Sequence, residues 1–250
     1  MNAFKIMSGK LLSFCFPDPC MICCRPAGRN RYVCSRCEQA PIYIGRNSLC
    51  LTCLSPIAEG ETHCGNCILK PPPFQQFLSC VEYSNEIRTS LHRYKFRGRS
   101  DLHVPFSRLL IERLTQDGVT DFDIVIPIPL SKKRYRERGY NQSALIARDI
   151  AAHFSVPCIE TALIRKRDTA PQSSLGYQYR EFNVRGAFFL KMPEAVRGKH
   201  VLLVDDIFTT GATARDASRA LKKGTDKITV CTVAKTKVHK GISGNPNSIK

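Results

Sequence analysis

Several features that would place this chain in a familiar class are missing from it. No G-x-x-x-x-G-K-[ST] phosphate loop occurs: neither Gly9-Lys10-Leu11 nor Gly198-Lys199-His200 completes the pattern, which argues against a P-loop ATPase. No apolar run is long enough to cross a membrane. Lys5 and Lys10 interrupt the mildly apolar start, and Phe14 before Cys15 is not the small residue that a lipoprotein cleavage site requires. Residues 1–14 are therefore expected to be a flexible N-terminus and the protein to be cytoplasmic. Acidic residues are few, 21 against 38 lysines and arginines, and the formal charge of +17 predicts an anionic partner.

Cysteine is abundant instead. Eight of the 13 cysteines form four C-x-x-C pairs, Cys20/Cys23, Cys34/Cys37, Cys50/Cys53 and Cys64/Cys67. A thiolate pair on a tight knuckle offers two sulfurs to one ion, and two such pairs complete a tetrahedral Cys₄ zinc site. Two tandem zinc ribbons over residues 15–70 follow, with the first two knuckles sharing one ion and the last two another, although an interleaved pairing satisfies the same spacing. Cys15, Cys24 and His63 are spare ligand candidates. Two tetrathiolate sites would lower the effective charge to roughly +13. Cys80, Cys158 and Cys231 sit in apolar surroundings and are expected to be small buried hydrophobes.

Pro71-Pro72-Pro73 stops regular structure and marks the domain boundary. Beyond it, over residues 74–238, the pattern predicts a helix at 104–114, a strand at 123–129 and a helix at 141–154. Strands at 159–165, 184–190, 201–204 and 227–233 follow, with a helix at 214–223. This order implies an α/β domain with a doubly wound, mostly parallel sheet. The polar, turn-forming residues 239–250 are expected to be a disordered tail.

Val201 to Thr213 reads VLLVDDIFTTGAT and is the most informative stretch. Its unbroken apolar start suits a strand buried on both faces, and ligands in such sheets bind beyond the strands' carboxyl ends. There Asp205 and Asp206 can accept hydrogen bonds from the vicinal hydroxyls of a ribose and help to hold magnesium. Thr209, Thr210, Gly211, Ala212 and Thr213 then lead into a helix whose free N–H groups suit a phosphate monoester. The expected ligand is phosphoribosyl pyrophosphate.

Four segments together, RYKFRGR (residues 93–99), PIPLSKKRYRERGYNQS (127–143), RKRDTAPQSSLGYQYREFNVRGAF (165–188) and VLLVDDIFTTGATA (201–214), resemble the ComF family of phosphoribosyltransferase-like competence proteins. The resemblance spans nearly the whole chain and implies a double zinc ribbon followed by a type I phosphoribosyltransferase fold. It implies a pyrophosphate loop at Leu130, Ser131 and Lys132, and a long flap containing Gln172, Arg180 and Asn183, with Arg180 acting beside Asp205 and Asp206 in catalysis. If the protein is an enzyme, the implied reaction is pentosyl transfer to an acceptor that no residue identifies.

The surplus charge points to a second ligand class. Arg93, Lys95, Arg97 and Arg99 interleave with aromatics, as do Lys133, Arg134, Arg136 and Arg138, a composition suited to single-stranded DNA. Alternatively, Tyr94 and Phe96 pack inward from a strand and the cations are merely solvated. The family's association with competence implies handling of incoming DNA beside a helicase at the inner membrane. A phosphoribosyltransferase of nucleotide or cofactor salvage, or a non-catalytic sensor of phosphoribosyl pyrophosphate, are the competing expectations.

Overall fold

A computed structural model describes residues 18–28, 31–45, 48–167 and 185–236. Its centre is a four-stranded parallel sheet in the order β1-β6-β5-β2, built from β1 (Gln76–Glu82), β2 (Ile124–Pro127), β5 (Val201–Phe208) and β6 (Ile228–Lys235). Strands β3 (Leu163–Arg165) and β4 (Phe188–Leu190) form a separate antiparallel pair.

The helices are α1 (Gly65–Leu69), α2 (Asn85–Phe96), α3 (His103–Gln116), α4 (Lys132–Arg138), α5 (Gln142–Phe154), α6 (Pro193–Val196) and α7 (Ala212–Leu221). Alternate residues of β5 explain the layering. Leu202 and Val204 join Leu91, Phe106, Leu110 and Ile146 in one core. Val201 and Leu203 join Ala217, Leu221, Leu163 and Phe188 in another on the opposite face. A strand covered on both sides is apolar without alternation, which is why residues 201–204 read as they do.

Three expectations change in detail. The strand predicted at 159–165 divides: Cys158 forms a parallel bridge to Val125 at the sheet edge, and the chain then leaves for β3. The first sheet strand is β1, which the sequence pattern passes over. The RYKFRGR segment contains the last turn of a helix and not a strand, so Tyr94 is fully buried while Phe96 is exposed.

The cysteine region lies against β1. Tyr43 bridges Val81, Ile44 N donates to Cys80 O at 2.9 Å, and Glu82 N donates to Ile42 O at 2.8 Å. These bonds cover a sheet edge that would otherwise expose unpaired backbone groups. Cys20, Met21 and Cys34 are part of one core and Leu54 of the other. Cys80 and Cys231 are buried as expected, and Cys158 is half-buried. The N-terminal segment, the tail from residue 239 and the flap residues Gln172, Arg180 and Asn183 lie outside the described residues. No described helix is long and apolar enough to cross a membrane.

Candidate functional site

The four knuckles assemble into two clusters, Cys20/Cys23/Cys34/Cys37 and Cys50/Cys53/Cys64/Cys67, with the sulfurs of each within 4.8 Å of one another. Four thiolates at that separation fit around one zinc ion with bonds of about 2.3 Å, and the pairing is sequential rather than interleaved. Cys24 and His63 belong to neither cluster. Cys24 instead takes the left-handed turn after its knuckle, φ +65°, with its N–H on Cys20 O at 2.9 Å; Leu54 does the same after the third knuckle, φ +54°, with its N–H on Cys50 O at 2.8 Å. Cys15 lies outside the described residues.

A second feature is a cleft of about 460 Å³ at the carboxyl ends of the parallel strands. Asp205, Asp206, Thr209, Gly211 and Thr213 line one wall; Pro129, Leu130, Arg134, Arg138 and Gln142 line the wall opposite, with Arg88 and Lys95 from α2 and Arg165 from β3. Thr210 and Ala212 are buried behind the turn. Gly211 has φ +75° at the N-terminus of α7, and a Cβ there would lie 2.3 Å from the Phe208 ring. Both its backbone angle and its surroundings therefore demand glycine. Arg215 Nη2 donates to Thr210 O at 2.6 Å, and Thr210 Oγ1 accepts from Ala212 N at 3.3 Å.

The acidic pair is held from three directions. Ser143 Oγ donates to Asp205 Oδ1 at 2.9 Å, and Asp206 N donates to the same oxygen at 2.9 Å. Lys95 Nζ lies 2.5 Å from Asp206 Oδ2. Burial, and then the neighbouring Asp206 carboxylate, push the Asp205 carboxyl up to about 7, against the pull of Lys95. Oxygen donors on adjacent carboxylates are the set that a hard cation such as magnesium takes, so the donor chemistry fits the metal expected with a diphosphate ligand.

The segment RERGYNQS converges on this site. Arg138 Nη1 donates to Gln142 Oε1 at 2.7 Å, and its guanidinium stands 4.8 Å above the Phe96 ring. Gly139 closes α4 at φ +78°. Tyr140 donates its hydroxyl to Tyr94 O, and Asn141 caps α5 while donating to Ile128 O at 3.1 Å. Ser131 caps α4, so Lys132 and Lys133 begin an exposed helix and not a continuing loop.

The two groups of basic residues are treated differently by the fold. Arg134 and Arg138 line the cleft, and Lys133 and Arg136 are exposed on the same helix. Arg93 is committed inward, donating to Ile22 O at 2.7 Å, and Arg99 makes a two-pronged pair with Asp101 at 2.9 and 2.7 Å. Arg97 is exposed, whereas Lys95 faces Asp206. Arg88, Gln142, Ser143, Arg165 and the Lys95–Asp206 pair are site features that the sequence did not reveal. Asp216 is another: buried on α7, it accepts from Gly186 N and Ala187 N at 2.8 and 2.9 Å, pinning the entry to β4 against the helix that follows Gly211.

Comparison with known proteins finds a matching domain family and relatives that span most of the chain. The phosphoribosyl transferase domain family matches residues 141–243. The DNA utilization protein YhgH of Salmonella typhimurium is 32% identical over 226 residues, covering 88% of this chain and 98% of the relative. Competence protein F of Haemophilus influenzae is 28% identical over 209 residues, covering 81% and 90%. Competence protein ComFC of Bacillus subtilis is 28% identical over 147 residues, covering 59% and 58%.

Proposed function

The chain belongs to the ComF family of competence proteins with a phosphoribosyltransferase-like domain, and on that footing we propose that it binds phosphoribosyl pyrophosphate with magnesium in the cleft above β5 and takes part in DNA uptake and transformation. The observation that carries the reading is the placement of Asp205, Asp206 and the Thr209–Thr213 turn together at the carboxyl ends of a parallel sheet, in one cleft. Asp205 and Asp206 accept the ribose hydroxyls. The turn and the N-terminus of α7 receive the 5′-phosphate. Leu130 and Ser131, with Lys132, Arg134 and Arg138 on α4, form the side facing the pyrophosphate, where positive charge stabilises a leaving diphosphate.

The chemistry that this arrangement suits is displacement of pyrophosphate from the anomeric carbon by a nitrogen nucleophile, with transfer of the pentosyl group. Magnesium, when bound, neutralises charge on the diphosphate. The protein's own groups orient the sugar, hold the 5′-phosphate and supply guanidinium charge to the departing oxygens. The family resemblance gives the same task to Arg180, which lies outside the described residues.

Single-stranded DNA is the second ligand in this reading, and the course of α4 favours it. One helix carries Arg134 and Arg138 into the cleft and Lys133 and Arg136 outward, so phosphates bound along it run past the mouth of the sugar-phosphate site. The test is isothermal titration of the zinc-loaded protein with phosphoribosyl pyrophosphate and magnesium, with and without a single-stranded oligonucleotide. Binding that is lost in Asp205→Ala/Asp206→Ala and weakened by the oligonucleotide supports both assignments. Turnover with a defined base and indifference to DNA would favour salvage instead.

A further inference from the structure

Lys95 stands where two requirements of the cleft meet. Its Nζ is 2.5 Å from Asp206 Oδ2, and both side chains are largely enclosed, 17% and 3% exposed. Adjacent enclosed carboxylates repel each other and lose hydration, so a cation beside the Asp205–Asp206 pair offsets the negative charge that the fold concentrates there. Lys95 supplies that cation from α2. Arg88 of the same helix, and Arg134 and Arg138 of α4, line the rest of the space around this ammonium.

The backbone that carries Lys95 is firmly held. Ser90 Oγ donates to Met21 O and Arg93 Nη1 to Ile22 O, both carbonyls lying inside the first cysteine knuckle. Tyr94 is fully buried and donates its hydroxyl to Gln142 O at 2.7 Å. The helix therefore gives Lys95 a fixed base, while its four-carbon stem leaves the ammonium free to change partners.

We propose that Lys95 is a positioning residue that holds Asp206 before a ligand arrives and passes its charge to the diphosphate of an incoming sugar diphosphate. The inference rests on the reading of the cleft as a phosphoribosyl-pyrophosphate site. Sugar hydroxyls arriving at Asp206 compete with the ammonium for the carboxylate oxygen. A ligand with a diphosphate on C1 offers the displaced ammonium a new anionic partner. A ligand with only the sugar and its 5′-phosphate does not, and must bind at Lys95's expense. Loss of the charge at position 95 therefore acts differently on the two ligands, which a loss of fold does not do.

The experiment is isothermal titration of the wild type, Lys95→Met and Lys95→Arg with phosphoribosyl pyrophosphate and, separately, ribose 5-phosphate, both with magnesium. The expected result for Lys95→Met is a loss of about tenfold in affinity for phosphoribosyl pyrophosphate, the scale of one charge-assisted bond. Ribose 5-phosphate should bind as well as to the wild type or more tightly, and Lys95→Arg should recover most of the diphosphate affinity. Should Lys95→Met melt below the assay temperature, Lys95→Gln, which keeps a donor for Asp206 but no charge, carries the same comparison. Equal losses for both ligands, or no loss for either, would overturn the role of Lys95. A wild type that binds neither ligand overturns the reading of the cleft itself.

Discussion

Ser143 Oγ donates to Asp205 Oδ1 at 2.9 Å, joining the first turn of α5 to the C-terminal half of β5 across 62 positions of the chain. Two segments that look independent in the sequence, RERGYNQS and VLLVDD, are thus parts of one site. The hydroxyl stabilises the charged form of the carboxylate and fixes its direction. Ser143→Ala is expected to weaken phosphoribosyl-pyrophosphate binding by about 1 kcal/mol, roughly fivefold. Titration calorimetry on the variant checks this, and an unchanged affinity would remove Asp205 from the ribose contacts.

A pH dependence follows from the same carboxyl. Its folded pKa, raised to about 7 chiefly by burial, exceeds the unfolded value of about 3.9. The folded state then binds more protons than the unfolded state between those values, so this group's contribution to stability is fully present below the unfolded value and is lost as pH rises towards 7. Ligand binding, which needs the carboxylate, should strengthen over the upper part of the same range. Denaturant midpoints and ligand affinities across that range should move in opposite directions in the wild type, and Asp205→Asn should flatten both trends.

Gly211 is expected to tolerate no side chain. Alanine there places Cβ against the Phe208 ring, which stacks on Phe77 at 4.0 Å between centroids, and must also hold φ +75°. The combined cost is on the order of 2 kcal/mol or more. Because Gly211 stands within the turn proposed to receive the 5′-phosphate, Gly211→Ala should lower both the melting temperature and the affinity for a 5′-phosphate. Normal affinity in a destabilised variant would show that the turn is not the phosphate site.

How far these features can be read from the chain depends on how local they are. The apolar run 201–204 is unambiguous because both faces of β5 are covered. The spacing of the cysteine pairs identifies two tetracysteine clusters because each knuckle is a local turn, although only the folded chain establishes which pairs combine. RYKFRGR misleads: aromatics two residues apart suggest one face of a strand, yet in a helix they lie about 200° apart, so Tyr94 is buried and Phe96 is not. Strand β1 carries Ser79 and Cys80 among its apolar residues, which weakens its signal. The Lys95–Asp206 and Ser143–Asp205 contacts depend on sheet order and helix placement, which no local pattern encodes.

The basic residues can be separated by substitution. Lys133→Ala and Arg136→Ala remove exposed charges from α4 and should weaken single-stranded DNA binding about equally for all sequences, while reducing its salt dependence. Arg99→Ala, whose guanidinium is already paired with Asp101, should change DNA affinity much less. Fluorescence anisotropy over a series of salt concentrations distinguishes the two groups. Equal effects from all three would mean that binding follows overall charge and not this helix.

Removal of the metal should reach beyond the cysteine region. Cys20 and Cys34 are buried in the same core as Leu91, Phe106 and Ile146. The first knuckle also holds α2 through Met21 O and Ile22 O, and Leu54 O, directly after the third knuckle, receives Lys235 Nζ from the end of β6 at 3.3 Å. Both elements border the cleft, so the clusters brace the walls of the site rather than hang from it. A zinc assay on the purified protein should give two equivalents. Cys20→Ser is expected to lose one of them and to lower the stability of the whole protein by several kcal/mol, since structural zinc contributes directly to folding free energy. Cys64→Ser, in a cluster whose last two ligands stand on the more exposed α1 segment, should cost less. Hydrogen exchange on the two variants reads the coupling directly: Cys20→Ser should speed exchange in α2 as well as in the knuckle, and protection of α2 equal to that of the wild type would show that the first cluster folds independently of the site.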